Sequence, residues 1–360
     1  MSWTTRLSRG AAALALSFTA LAAQAGPYSD MYVFGDSLSD SGNDLKIVGD
    51  VPAPDYYTDG PNRGRFTNGL NYADRLAANF GLTLTPSELG GNNYAYGGAR
   101  SEYVRDDLLP FGGLSFNEQI DAYLRKSGHA ADPNALYVLW IGANDMSDAA
   151  VTSLMMGGNL APIGGQIVQT IGDPTKIGDP TAPGDILSAL LTLQTLGARN
   201  FLIGNSPDLS LTPAARGLAA YFGSGVSDLF QGASVGFNQT LAAMLPFYTL
   251  PTSSVTLFDA FALQTAMTDN PAAYGLTNVT GACYDGQIDG SPAPGSATAN
   301  ECPNEGEYLY YDTEHPSAVL HEWAARTIYA QLVVPEPGEL ALSLTALGLM
   351  GLAGRRSRRG

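Results

Sequence analysis

Short apolar runs of strand type, Met31–Phe34, Leu136–Ile141, Phe201–Ile203, Val255–Phe258 and Tyr308–Tyr311, recur along this chain with segments of helical periodicity between them. Segments such as 69–80, 186–196, 226–245 and 317–332 have that helical periodicity. Strands that alternate with helices pair in parallel through crossovers and are covered on both faces. The expectation is therefore one α/β domain over 26–334 with a mainly parallel central sheet. In open sheets of this kind the chemistry sits at the carboxyl ends of the strands, so the residues just after each run carry the functional question. No internal repeat and no shift of composition marks a second domain within 26–334. The Gly/Pro-rich stretch at 156–184 and the loop around the two cysteines read as surface excursions from that core.

Charge narrows the class of partner. Lys and Arg number 18 against 34 Asp and Glu, a formal net charge of −16. Such a chain is repelled by nucleic acid and by anionic headgroups, so a nucleic-acid binder is excluded first. The imbalance is concentrated in 26–334, where 12 basic residues face 32 acidic ones for a net of −20, while both ends are basic.

Those ends read as addresses. Arg6 and Arg9 precede the apolar run Ala11–Ala23 and then Ala23-Gln24-Ala25, the small-x-small form cut by signal peptidase, so residues 1–25 are expected to be a secretory signal. At the other end Pro335-Glu336-Pro337 is followed by the apolar Leu340–Ala353 and by Arg-Arg-Ser-Arg-Arg. An apolar run followed by a basic tail fits insertion with the tail in the cytoplasm, although the run is short of the about 20 residues of a usual crossing. Residues 335–360 resemble the PEP-CTERM sorting signal of Gram-negative bacteria, which implies handling by an exosortase-like enzyme and at least transient anchoring to the inner membrane. The expected destination is the periplasm, the cell surface or the extracellular matrix. Cys283 and Cys302 are the only cysteines, and in an exported Gly/Ser/Pro-rich loop without histidine they are expected to form a disulfide rather than a metal site.

Three strand ends carry candidate chemistry. Gly35-Asp36-Ser37-Leu38-Ser39-Asp40 follows the first run and would expose the Ser37 hydroxyl on a tight turn. By itself a serine there is an ordinary helix cap. Gly142-Ala143-Asn144-Asp145 follows the second run, where an Asn side chain can donate to a developing oxyanion. Asp312-Thr313-Glu314-His315 follows the last, and a carboxylate three residues from an imidazole can hold one ring nitrogen and turn the other toward a serine. Nucleophile, base and orienting acid would then come from one edge of a single sheet.

Taken together these segments resemble the SGNH hydrolases of the GDSL esterase/lipase type, and the resemblance covers nearly all of 26–334. Ser37 matches the nucleophile block, Asn93-Tyr94-Ala95-Tyr96-Gly97-Gly98-Ala99 looks like the glycine block, Gly142-x-Asn144-Asp145 matches the asparagine block and Asp312-x-x-His315 the histidine block. The stretches Gly64–Gly69, Leu196–Arg199 and Asn270–Gly275 also read like the family. The resemblance implies a three-layer α/β/α, flavodoxin-like fold and a Ser37–His315–Asp312 triad. It further implies an oxyanion hole from the Ser37 and Gly98 N–H groups and the Asn144 side chain, with Gly97 the alternative to Gly98. Acyl transfer through a covalent serine ester needs no cofactor and no metal. The expected substrates are acyl esters: lipids, lysophospholipids or acylated polysaccharide. A binding protein that keeps the fold without turnover, and an acyltransferase, are the alternatives.

Several other residues compete for these roles. Gly232-Ala233-Ser234-Val235-Gly236 spells the lipase elbow, but it sits in a helical pattern with no strand before it. His129 and His321 are expected to be surface or packing residues, with His321 the fallback base. Asp36 is expected to be structural. Arg65, Phe66, Tyr56 and Tyr57 could line the acyl pocket or simply pack in loops.

Overall fold

The computed structural model describes residues 27–48, 63–101, 113–155, 182–286 and 298–333. The leader, Tyr56 and Tyr57, most of the Gly/Pro-rich stretch and the sorting segment lie outside the described residues. Strands β1 (Met31–Gly35), β2 (Leu136–Trp140), β3 (Asn200–Gly204) and β4 (Ser254–Phe258) form a parallel sheet in that order. Its register aligns Met31 with Leu136, Leu136 with Asn200 and Asn200 with Ser254. The α-helices among the described residues are α1 (Asn43–Val48), α2 (Tyr72–Asn79), α3 (Phe116–Ser127), α4 (Ala143–Met155), α5 (Ala182–Thr195), α6 (Pro213–Phe222), α7 (Gly225–Tyr248), α8 (Ala260–Asp269) and α9 (Ala318–Val333).

Successive residues of a strand point to opposite faces, and here both faces are apolar. Phe34, Tyr137, Leu139, Phe201 and Ile203 pack with residues of α3, α4, α5 and α7. Their neighbours Met31, Val33, Leu136, Val138, Trp140 and Leu202 pack with α2 and α9 on the other side. The result is a three-layer α/β/α fold. Along the outer edge of β1 runs the segment Asn92–Tyr96, with Tyr94 N–H donating to the Val33 carbonyl at 2.7 Å and Tyr96 N–H to the Gly35 carbonyl at 3.2 Å. Counted as a rudimentary strand, this segment turns the order into the flavodoxin-like 2-1-3-4-5, whose reversal point lies between β1 and β2.

Two features depart from the expectation. The Tyr308–Tyr311 run is not a fifth strand of the central sheet: β6 (Tyr308–Tyr310) pairs in parallel with β5 (Asn278–Ala282) in a separate two-stranded sheet. β5 reads Asn-Val-Thr-Gly-Ala, too polar to register as an apolar run. Asp312 and His315 are thus carried to Ser37 from a second sheet rather than from the same edge. Helices α1, α3, α4, α6 and α8 also lie outside the segments named from periodicity, although for α3 Ser115 and Glu118 form a capping box and Gly128 closes its end in the left-handed region. A cap of that kind contributes about 1 kcal/mol, and its Ser-x-x-Glu signature stands in the sequence.

Candidate active site

The turn after β1 is organised by its own carboxylates. Ser39 and Asp40 N–H groups both donate to the Asp36 carbonyl at 3.0 Å, and the Asp36 side chain accepts from Leu38 N–H at 3.0 Å. Asp40 accepts from the N–H groups of Gly42, Asn43, Asp44 and Gly97, so one buried carboxylate ties the Ser37 turn to the glycine segment. Asn93 completes the tie, donating to the Ser39 carbonyl at 2.7 Å and to Ser41 Oγ at 2.8 Å. Gly35 is required by proximity, because a Cβ there would meet the Trp140 carbonyl oxygen at 2.3 Å. Asp40 and Asn93 were not singled out as positioning residues, although both lie within the matched blocks.

His315 reaches this turn from the far end of the chain. Its Nε2 lies 2.9 Å from Ser37 Oγ and its Nδ1 lies 2.7 Å from Asp312 Oδ2. The other oxygen of Asp312 accepts the N–H groups of Glu314 and His315 at 2.8 and 2.6 Å, which closes the turn around the carboxylate. With the ring proton on Nδ1 and donated to Asp312, Nε2 is left to accept from the serine hydroxyl. Phe66 packs against the imidazole with ring centroids 5.1 Å apart. Phe66 therefore supports the histidine, while Arg65 is held by Asp74 in two bonds of 2.7 and 2.9 Å. Neither lines the cavity described below.

Electrostatics follow from this packing. Burial pushes His315 down, but the Asp312 carboxylate, with Glu314 and Asp36 beyond it, outweighs that and raises its pKa above the ordinary histidine value. Burial likewise pushes Asp312 up, and the charge and hydrogen bonds of His315 overcome it and leave Asp312 below the usual carboxylate range. Asp36, fully buried beside Ser37, is pushed up by desolvation to about 7, and its Oδ2 has no hydrogen-bond partner among the described residues.

The remaining candidates meet at the reversal point of the sheet. Asn144 follows β2 and donates one of its two amide hydrogens to the Ala99 carbonyl at 2.9 Å, the second having no acceptor among the described residues. Gly98 precedes Ala99 in the left-handed region, with φ 68°. Its neighbour Gly97 spends its N–H on Asp40 at 3.2 Å, and a Cβ on Gly97 would sit 2.0 Å from the Phe66 ring. Among the described residues, the N–H groups of Ser37 and Gly98 donate to no protein acceptor.

Ser37, Asn144 and His315 open onto a cavity whose walls are otherwise mostly apolar, with Val151 of α4, Leu218 of α6, Phe230 of α7 and Leu263 of α8. The rivals stand elsewhere or are occupied. Ser234 is fully buried within α7, where its Oγ accepts from Leu209 N–H at 3.2 Å. His129 is exposed in the loop after α3. His321 does border the cavity, but its Nδ1 accepts the Tyr72 N–H at 3.2 Å. Cys283 and Cys302 are joined, with Cα atoms 4.8 Å apart. Among the described residues no group of three or more His, Cys, Asp or Glu is placed to hold a metal ion.

The chain matches the model of the GDSL-like lipase/acylhydrolase family over residues 31–328. It is 28% identical over 353 residues to a GDSL esterase/lipase of Arabidopsis thaliana, covering 87% of this chain and 88% of that one. Identity to the phosphatidylcholine-sterol acyltransferase of Aeromonas hydrophila is 28% over 281 residues, 77% of this chain and 72% of the relative. Esterase EstA of Pseudomonas aeruginosa is 28% identical over 361 residues, 89% of this chain but 49% of the relative, so the chain spans about half the length of that esterase. The family match runs from the first residue of β1 to within α9 and takes in every strand end described above; the chain belongs to the GDSL-like lipase/acylhydrolase family, a class of carboxylic ester hydrolases.

Proposed function

We propose that the chain is an exported serine esterase or lipase that hydrolyses acyl esters by way of Ser37, His315 and Asp312. The observation that carries this is the imidazole of His315 set between Ser37 Oγ at 2.9 Å and Asp312 Oδ2 at 2.7 Å. Nε2 takes the serine proton as Oγ attacks the ester carbonyl, and the Ser37 and Gly98 N–H groups with the Asn144 amide receive the negative charge. The imidazolium returns its proton to the departing alcohol, leaving an acyl-serine. Water, deprotonated by the same nitrogen, then releases the acid and restores the hydroxyl. The apolar walls of the cavity suit the acyl portion of a lipid or lysophospholipid. Ser37→Ala should abolish hydrolysis of p-nitrophenyl butyrate and labelling by a fluorophosphonate; unchanged hydrolysis in the purified variant would refute the assignment.

The Aeromonas relative, named as a phosphatidylcholine-sterol acyltransferase, supports a second reading in which an alcohol replaces water in the last step. The residues invoked are the same, and product analysis with an added sterol separates the two outcomes. Export rests on the leader at 1–25, and residues 335–360 are proposed as a PEP-CTERM-like segment that an exosortase-like enzyme processes, so that 26–334 is the working domain. An exported protein whose first residue is not Gly26 would contradict the cleavage site.

A further inference from the structure

Helices α6 and α7 form a hairpin turning at Gly223, and both legs line the cavity: Ala214 and Leu218 from the outgoing helix, Phe230 from the returning one. Ala214, Leu218, Tyr221 and Phe222 are spaced i, i+4, i+7 and i+8, which places them on one stripe of the helix. The stripe begins in the cavity and ends in the open, where Tyr221 is 83% and Phe222 58% exposed with their rings edge to face at 4.7 Å. Its root is fixed beside the catalytic turn, since Ala214 N–H donates to the Thr313 carbonyl at 2.9 Å. No charged residue occurs from Gly217 to Ser227, around the apex of the hairpin.

A pair of large exposed aromatics continuous with a mostly apolar cavity is a surface that water leaves unsatisfied and a lipid boundary would cover. Tyrosine, apolar in body and polar at its tip, suits the headgroup level of such a boundary. The formal charge of −16 sets the choice of lipid, because anionic headgroups would repel the chain and zwitterionic ones would not. Phe247 is as exposed, at 82%, but it lies at the end of α7 that leads toward the start of β4, at the amino ends of the strands and away from Ser37.

We infer that the α6–α7 apex docks on a zwitterionic lipid–water interface, Tyr221 and Phe222 entering it while the Leu218 stripe leads an acyl chain toward Ser37. The inference rests on the ester-hydrolase function proposed above, and its test separates the two. The full chain is compared with Tyr221→Ser/Phe222→Ser and Tyr221→Trp/Phe222→Trp on dissolved p-nitrophenyl butyrate and on p-nitrophenyl palmitate dispersed in phosphatidylcholine vesicles. The serine pair should lower the vesicle rate at least about tenfold. It should leave the butyrate rate within about twofold, and the tryptophan pair should restore the vesicle rate. Phosphatidylglycerol vesicles should support a slower rate with the unaltered chain. Equal losses on both substrates, no loss on either, or a dimer of the unaltered chain that the serine pair dissociates would overturn the inference. Flotation with phosphatidylcholine vesicles in the Ser37→Ala background reads docking without turnover: the serine pair should reduce it, and equal flotation would count against docking whatever the fate of the ester-hydrolase reading.

Discussion

His315 and His321 are both buried, both border the same cavity and stand six positions apart in sequence, yet their surroundings drive them in opposite directions. His315 sits on a turn built around the Asp312 carboxylate, and the carboxylates facing it lift its proton affinity above the ordinary value in spite of burial. His321 sits on α9, and among the described residues no carboxylate is hydrogen-bonded to its ring. Burial, with Arg75 and His315 beyond it, pushes its pKa down to about 3. Its Nδ1 serves the first turn of α2 by accepting the Tyr72 N–H, a structural duty that requires a neutral ring. Burial alone makes a histidine an inert acceptor; a carboxylate on one ring nitrogen makes the other a base.

The comparison can be tested at its strongest point by Asp312→Asn, which should lower kcat on a short ester by about 10⁴-fold while leaving the fold intact. In the unaltered protein the rise of kcat/KM with pH should fall above 6.5, because a neutral His315 is required and its pKa is raised. Removing the Asp312 charge leaves burial to dominate, so the rise should move to lower pH in the variant. A rise that stays in place would mean that another group titrates. Next in size, Asn144→Ala should cost about 10²- to 10³-fold in kcat with little change in KM, since the amide is asked to serve the oxyanion and not the bound ester. A change confined to KM would remove Asn144 from that role.

The smallest effect on rate, and the cleanest contrast, belongs to His321→Gln. An unfolded imidazole binds a proton below pH 6.5 that the folded one refuses until about 3, so His321 should cost stability progressively as pH falls through that window. The glutamine variant should flatten that slope in urea unfolding across pH 6.5 to 3, with kcat/KM changed by less than about tenfold. His315 contributes with the opposite sign. Its stabilisation is full below 6.5 and is lost as pH rises through its elevated folded value. A shift of the kcat/KM midpoint in His321→Gln would contradict the separation of roles.

What could be read in the sequence was local. The four strands of the central sheet are short apolar runs because both their faces are covered, and that pattern survives without any knowledge of partners. Ser37, Asn144 and the Asp312-x-x-His315 spacing were legible for a similar reason: each lies in a turn, or for Asn144 in the first turn of α4, whose backbone bonds are made within a few residues, as Asp312 makes them with Glu314 and His315. The assignment of Tyr308–Tyr311 to the central sheet failed because strand pairing is a long-range choice, and its partner Asn278–Ala282 has no apolar pattern to announce it.

Only the tertiary structure decided what depends on groups far apart in the chain. It separated Gly97, whose N–H is taken by Asp40, from Gly98, whose N–H is not. It placed Phe66 against His315 and not in the cavity, and it brought Leu218 and Phe230 together as a cavity wall beneath the exposed Tyr221 and Phe222. The sequence by itself determined which turns could hold a nucleophile, an oxyanion donor and a base. Their meeting, and the opposite pKa shifts of two buried histidines, were settled by packing, because the field at a side chain is set by its neighbours in space and falls off with distance in ångströms, not in residues.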